Sequence, residues 1–121
     1  MTTADPLVIH SDRGKIRISE DIIMTIARNA VSEIEGIVSI SGGFPGSMAK
    51  VFSRNTTSKS GVQLEKESDH LILNLSLEVL YGIPIPKMVE QAQKQVKQAV
   101  ETMTEIHVEQ VNIYVNHLKT T

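Results

Sequence analysis

The sequence predicts a single α+β domain in which two helices pack on one face of a layered, mainly antiparallel or mixed sheet. Its 121 residues, 40% of them apolar and 21% charged, are sufficient for one hydrophobic core. Several segments alternate apolar and polar residues, which is the pattern of half-buried strands. Two longer segments repeat apolar residues every three or four positions, as amphipathic helices do. The segments therefore predict the order strand, helix, strand, linker, hairpin, helix and strand.

The first strand and the first helix are predicted to follow each other directly. Residues 14–18 alternate isoleucine with lysine or arginine, and residues 7–9 would at most extend this strand. Ser19 is suited to cap a helix from about residue 20 to residue 35, because its hydroxyl can accept a hydrogen bond from the first turn. Gly36 is suited to end that helix. The apolar stripe of the helix consists of Ile23, Ile26, Ala27, Ala30, Val31 and Ile34.

A flexible linker is predicted over about residues 42–60, after a short strand at residues 37–41. The glycines and the proline that open this segment break regular structure. We therefore expect an N-terminal tail at residues 1–13 and one domain at residues 14–118, with the linker inside it. The charged residues of the linker are all basic and lie near an aromatic residue, so a contact with a partner or an anion is one interpretation and a mobile segment is the other. The residues concerned are Lys50, Phe52, Arg54 and Lys59.

The second half of the chain predicts a hairpin, a long helix and a final strand. Residues 62–67 and 70–81 alternate apolar and polar side chains on either side of a turn near residues 68–69. A helix over residues 86–103 and a strand over residues 108–118 follow. The predicted apolar stripe of that helix is Val89, Ala92, Val96, Ala99, Val100 and Met103. The face of the sheet away from the helices should be solvated, and its polar residues are Lys15, Arg17, Asn74, Glu78 and Asn112.

Residues that could support catalysis or bind a metal form no recognisable motif. Cysteine is absent, which excludes disulfides, thiolate zinc sites and cysteine nucleophiles. The four histidines are scattered, without the spacing that places two metal ligands on one helix face; they are His10, His70, His107 and His117. Carboxylate pairs are expected on the exposed surface; they are Glu65 with Glu67 and Glu101 with Glu105. We therefore expect a protein that is not an enzyme and binds no cofactor and no metal.

Binding surfaces are the remaining candidates for function. The net charge of −2 gives no global basic field for nucleic acid or anionic lipid, and the apolar runs are too short for membrane insertion. The outer face of the second helix is rich in glutamine and is either a docking face for a partner helix or a solvated surface; its residues are Gln91, Gln95 and Gln98. Exposed edge strands would allow self-association, so we also expect a homo-oligomer.

Several motifs occur in a fixed order along the chain. They comprise residues 14–19, residues 35–37, the Tyr-Gly-Ile-Pro-Ile-Pro turn at residues 81–86, and the Val-Glu-Gln-Val-Asn-Ile strand at residues 108–113. Together they resemble the alkaline shock protein family of Gram-positive bacteria from about residue 14 to residue 118. Met103 and Thr104 match a Met-Thr pair that the family usually follows with glycine. In this chain Glu105 stands at that position.

The resemblance implies a cytoplasmic, non-enzymatic protein of envelope stress and cell-envelope homeostasis, which reaches the membrane through an anchored protein partner. It implies no catalytic residues. One alternative is a regulatory subunit that binds an enzyme of envelope or lipid synthesis. Another is an RNA-binding or nucleotide-binding module that uses Lys50, Arg54, Lys59 and the glycine-rich turn that opens the linker.

Overall fold

The computed structural model describes residues 5–40, 56–67 and 69–120. Their elements form a two-stranded antiparallel hairpin, a five-stranded mixed sheet and two helices, which confirms the predicted α+β class. None of the described helices is both long enough and apolar enough to cross a membrane. In chain order the elements are β1 (Val8–Ser11), β2 (Gly14–Arg17), α1 (Glu20–Ser32), β3 (Ile37–Ile40), β4 (Thr56–Lys59), β5 (Val62–Glu67), β6 (His70–Leu80), α2 (Ile85–Thr104) and β7 (His107–Lys119).

The central strand of the five-stranded sheet is β6, which pairs along both of its edges. On one edge, β5 pairs antiparallel with residues 70–75 and β3 pairs antiparallel with residues 77–79. On the other edge, β7 pairs parallel with β6 over residues 70–80. Parallel neighbours require a crossover connection, and α2 provides it. Within the described residues, β7 is therefore an edge of the sheet.

The hydrophobic core lies between the helices and one face of β6. Every second residue of β6 on this face is fully buried: Leu71, Leu73, Leu75, Leu77 and Val79. The helices contribute residues such as Ile23, Val31, Val96 and Val100 to the same cluster. The predicted arrangement of two helices on one face of the sheet is thus confirmed.

Helix α1 begins where the sequence predicts and ends earlier. The Ser19 hydroxyl accepts a hydrogen bond from the N–H of Ile22 at 3.3 Å, as expected for an N-cap. The helix ends at Ser32 because residues 33–36 form a turn instead of continuing it. Gly36 closes that turn with φ of 96°, and a side chain there would also meet Ile83 at 2.8 Å.

The buried stripe of α2 includes the predicted residues Ala92, Val96 and Val100 and differs from the prediction at both ends of the helix. Its buried residues recur at every fourth position: Met88, Ala92, Val96, Val100 and Thr104. Met103, predicted to be buried, is 69% exposed. Thr104 is tolerated in the core because its hydroxyl donates to the carbonyl of Val100 at 2.6 Å and accepts from the N–H of Ile106 at 3.1 Å. Glu105 then takes a left-handed conformation, with φ of 61°, as the glycine of related sequences could.

Strands β1 and β2 form a hairpin of their own, which corrects the prediction for this region. Residues 7–9 do not extend β2; Val8 and Ile9 pair antiparallel with it as part of β1. Lys15 and Arg17 consequently do not lie on the open face of the five-stranded sheet, and Ile16 is 51% exposed. An alternating pattern identifies a strand but does not specify its pairing partner, so the sequence could not separate these two sheets.

Strand β4 occupies residues 56–59, inside the predicted linker, and pairs antiparallel with β5. It was missed because its residues are Thr-Thr-Ser-Lys, with no apolar alternation to identify a strand. The candidate contact residues Lys50, Phe52 and Arg54 lie outside the described residues, as does the side chain of Lys59.

Replacement of Val96 by Asp should strongly destabilise the domain. Val96 is fully buried in the core, so the substitution removes roughly 1.5–3 kcal/mol of apolar burial and places an unpaired charge there. Urea denaturation would measure the loss, with Gln98→Asp on the exposed side of α2 as the matched control. Equal stability of the two variants would contradict the helix orientation described above.

Candidate functional site

Three side chains of α2 bind the backbone of β7 from outside the sheet. Gln93 Nε2 donates to the carbonyl of Val111 at 2.9 Å, and Lys97 Nζ donates to the carbonyl of Val108 at 2.6 Å. Glu101 Oε2 accepts from the N–H of Val108 at 2.9 Å. We name Gln93, Lys97 and Glu101 the edge clamp; their spacing of four residues places them on one side of the helix. The clamp occupies the N–H and carbonyl of Val108 and the carbonyl of Val111, which another strand would otherwise bind.

The electrostatic centre of the edge clamp is the carboxylate of Glu101. Lys97 Nζ lies 3.2 Å from Glu101 Oε2, and His107 Nδ1 lies 3.0 Å from the same oxygen. Partial burial by itself raises the pKa of Glu101. The hydrogen bond from Val108, the hydrogen bond and charge of Lys97, and the hydrogen bond from His107 outweigh this effect and hold that pKa below its ordinary value.

Two of the four histidines are brought together at the start of β6 and β7, which the sequence did not predict. His70 and His107 are opposite each other in the parallel register, and their ring centroids are 6.3 Å apart. His70 Nε2 lies 2.6 Å from Glu109 Oε2, and His70 Nδ1 lies 3.2 Å from Asp69 Oδ1. Within the described ranges, no group of three or more histidine, aspartate or glutamate side chains is arranged to hold a metal ion. These side chains form hydrogen-bonding contacts at the corner of the sheet.

The face of the sheet away from the helices carries a network of amide side chains, and part of it is buried. Asn74 Nδ2 donates to Gln63 Oε1 at 2.9 Å and to Glu65 Oε2 at 2.7 Å. Its Oδ1 accepts from Asn112 Nδ2 at 2.9 Å. Asn74 is fully buried, which corrects the prediction that it is solvated. The network crosses β5, β6 and β7, so it fixes their register with polar side chains.

The second half of the outer edge of β7 lies beyond the edge clamp. In a strand, the backbone groups of alternate residues point to the same side. The carbonyl of Val111 points away from β6, toward Gln93. The backbone groups of Ile113 and Val115 therefore also point away from β6. The described residues place neither a strand nor an edge-clamp side chain against them. We name residues 112–116 the open edge.

The three glutamines of the predicted face of α2 differ in their exposure. Gln95 lines an open groove of about 260 Å³ between α1 and α2, together with Ile26 and the exposed Met103. Gln91 and Gln98 are exposed. At spacings of four and three residues, the three glutamines lie on one side of the helix.

Replacement of Glu101 by Gln should destabilise the domain in a pH-dependent manner. Because the pKa of Glu101 is lowered in the folded state, its stabilisation is complete above the unfolded-state value and is lost as the pH falls through the folded-state value. We expect the wild type to exceed Glu101→Gln by about 1 kcal/mol at neutral pH. This difference should shrink as the pH falls below the ordinary value of 4.5.

Urea denaturation across the acidic range would test this expectation, with Glu90→Gln as a control because Glu90 is exposed on the same helix. A difference between wild type and Glu101→Gln that stays constant at all pH values would contradict the role assigned to the carboxylate.

Comparison with known proteins relates the chain to several bacterial sequences. YqhY of Bacillus subtilis, an uncharacterized protein, is 28% identical over 102 residues, which are 84% of this chain and 75% of that protein. A stress response regulator gls24 homolog of Streptococcus pyogenes is 23% identical over 108 residues, and the match spans 89% of this chain but 60% of the streptococcal protein. YloU of B. subtilis, also uncharacterized, is 27% identical over 110 residues, 89% of this chain and 91% of that protein. No solved structure matches the chain.

The family model of the alkaline shock protein 23 family, described by a cell envelope-related function, matches residues 8–120. The match confirms the family resemblance carried by the sequence motifs and extends it over β1. Because the model covers nearly the entire chain, the protein belongs to the alkaline shock protein family, whose function is related to the cell envelope.

Proposed function

We propose that the protein is a non-catalytic adaptor or scaffold of the cell-envelope stress response, acting by self-association and by binding other proteins at the cytoplasmic face of the membrane. The observation that carries this proposal is the open edge at residues 112–116. There the outward backbone groups of Ile113 and Val115 lie beyond the edge clamp. A strand edge of this kind binds another extended segment through main-chain hydrogen bonds.

The family supports the envelope part of the proposal. The family model is described by a cell envelope-related function, and the streptococcal relative is named a stress response regulator homolog. Because this chain spans 60% of that relative, the regulatory role comes to this chain as part of the proposal.

The polar residues next to the open edge support a binding role because they are engaged in holding the sheet. Glu101 and Lys97 bind the backbone of β7, and His70 binds Glu109. Asn74 and Asn112 bind each other across β6 and β7. General acid–base catalysis would need such groups to reach the proton of a substrate. We therefore assign them to fixing the shape of the edge.

Cross-linking in living cells, followed by mass spectrometry, tests the proposed function. We expect cross-links between copies of the chain and between the chain and a membrane-anchored envelope protein, and we expect deletion of the gene to increase sensitivity to envelope-directed stress. Glu90→Gln is a suitable control variant, because Glu90 is exposed on α2 and is not one of the candidate contact residues, so both results should be unchanged.

Two results would contradict the adaptor role. Recovery of one stoichiometric biosynthetic enzyme, without an anchored partner, would support the regulatory-subunit alternative instead. Normal tolerance of envelope stress in the deletion strain, together with no cross-links to envelope proteins, would remove the proposal.

A further inference from the structure

We propose that the partner of the open edge is a second copy of the same chain, paired antiparallel through residues 112–116 about a twofold axis at Tyr114. This inference rests on the proposed function, because it specifies the interface through which self-association occurs. In such a dimer, β7 of one copy lies beside β7 of the other, and the two five-stranded sheets become one continuous sheet.

The edge clamp determines the register. In an antiparallel pair, a residue whose backbone N–H and carbonyl point toward the partner strand must lie opposite a residue whose backbone groups point back. An axis at Ile113 would pair Val115 with Val111 of the second copy, whose carbonyl is already bound by Gln93. An axis at Tyr114 pairs Ile113 with Val115 of the second copy, and Val115 with its Ile113. Both members of these pairs lie beyond the clamp, so their backbone groups can hydrogen-bond without displacing a side chain.

The side chains of β7 are self-complementary in this register. Ile113 and Val115 are branched apolar residues, partly buried against the core, and they would meet across the axis on the helix-covered face. Asn112 and Asn116, both uncharged and polar, would be opposite each other on the other face. No like charges are opposed, so the same strand can serve as both partners.

The bulges of β7 limit the length of this interface. The register with β6 shifts between Val108 and Gln110 and again between Val115 and His117. Bulges bend a strand and interrupt pairing, so regular pairing with a second copy is confined to the segment between them. The edge clamp closes the strand on one side of that segment. The clamp and the bulges together restrict pairing through β7 to this short segment.

Disulfide trapping tests the register directly, because the chain contains no cysteine. Tyr114 would be opposite itself in a non-hydrogen-bonded pair, where Cα atoms are about 4.5 Å apart and a disulfide can form. Two copies of residue 112 would be roughly 13 Å or more apart along the strands, too far for a disulfide. With mild oxidation of the folded protein, we expect Tyr114→Cys to give at least about tenfold more covalent dimer than Asn112→Cys.

A second variant separates the interface from the fold. The N–H of Val115 points away from β6, so Val115→Pro removes a donor for the second copy while keeping the bonds to β6. Sedimentation of the wild type at a concentration of about 0.1 mM should show a dimer. The Val115→Pro variant should be monomeric under the same conditions and should still unfold cooperatively. Its far-ultraviolet circular dichroism should match that of the wild type.

The proposal would be overturned by a monomeric wild type, by equal trapping of the two cysteine variants, or by a folded Val115→Pro protein that remains dimeric. If Val115→Pro fails to fold, the ratio of the two cysteine variants decides. Failure of this interface is distinguishable from failure of the adaptor role. In the first case the chain still cross-links to an envelope protein in cells, and in the second case it does not.

Discussion

The parallel pairing of β6 with β7 fixes the position of α2 and of the outer edge of the sheet. Because parallel strands need a crossover, this pairing requires α2 to pack across the sheet. It places β7 at the edge and brings the starts of both strands together, with His70 opposite His107. It also aligns Asn74 with Asn112, whose hydrogen bond joins the strands on the face away from the helices. The buried stripe of α2, the histidine pair and the amide network thus all follow from one strand pairing.

The edge clamp shows how a helix that covers a sheet can also control its edge. The side of α2 next to its buried stripe carries Gln93, Lys97 and Glu101, long side chains that reach over β7 to its outer backbone groups. An exposed edge strand is a template for pairing with another chain, so closing part of it restricts where pairing can occur. The clamp ends at Val111, and the bulge near Asn116 limits the far side. Selective association through a short segment is therefore consistent with the same physical chemistry that stabilises the domain.

The elements that are apolar on one side were predictable from the sequence, and the partners of each strand were not. The stripe of α1 and the two strands around residue 68 were identified because buried apolar residues repeat with the period of the backbone. Strand β4 lacks that pattern, and Met103 was misplaced because Thr104 occupies the core through its own hydrogen bonds. The edge clamp has only a weak signal, polar residues at a spacing of four beside an apolar stripe. Its meaning depends on knowing that β7 lies next to that side of α2.

Among the described residues, β7 is an edge strand whose first half is closed by α2 and whose second half is open. Hydrogen exchange of individual backbone amides, followed by NMR in a dilute monomeric sample, tests it most directly. We expect slow exchange at Asn112 and Tyr114, whose N–H groups face β6, and measurable protection at Val108 through Glu101. Exchange at Ile113 and Val115 should be fast. Slow exchange at both Ile113 and Val115 in the monomer, or no protection at Val108, would contradict it.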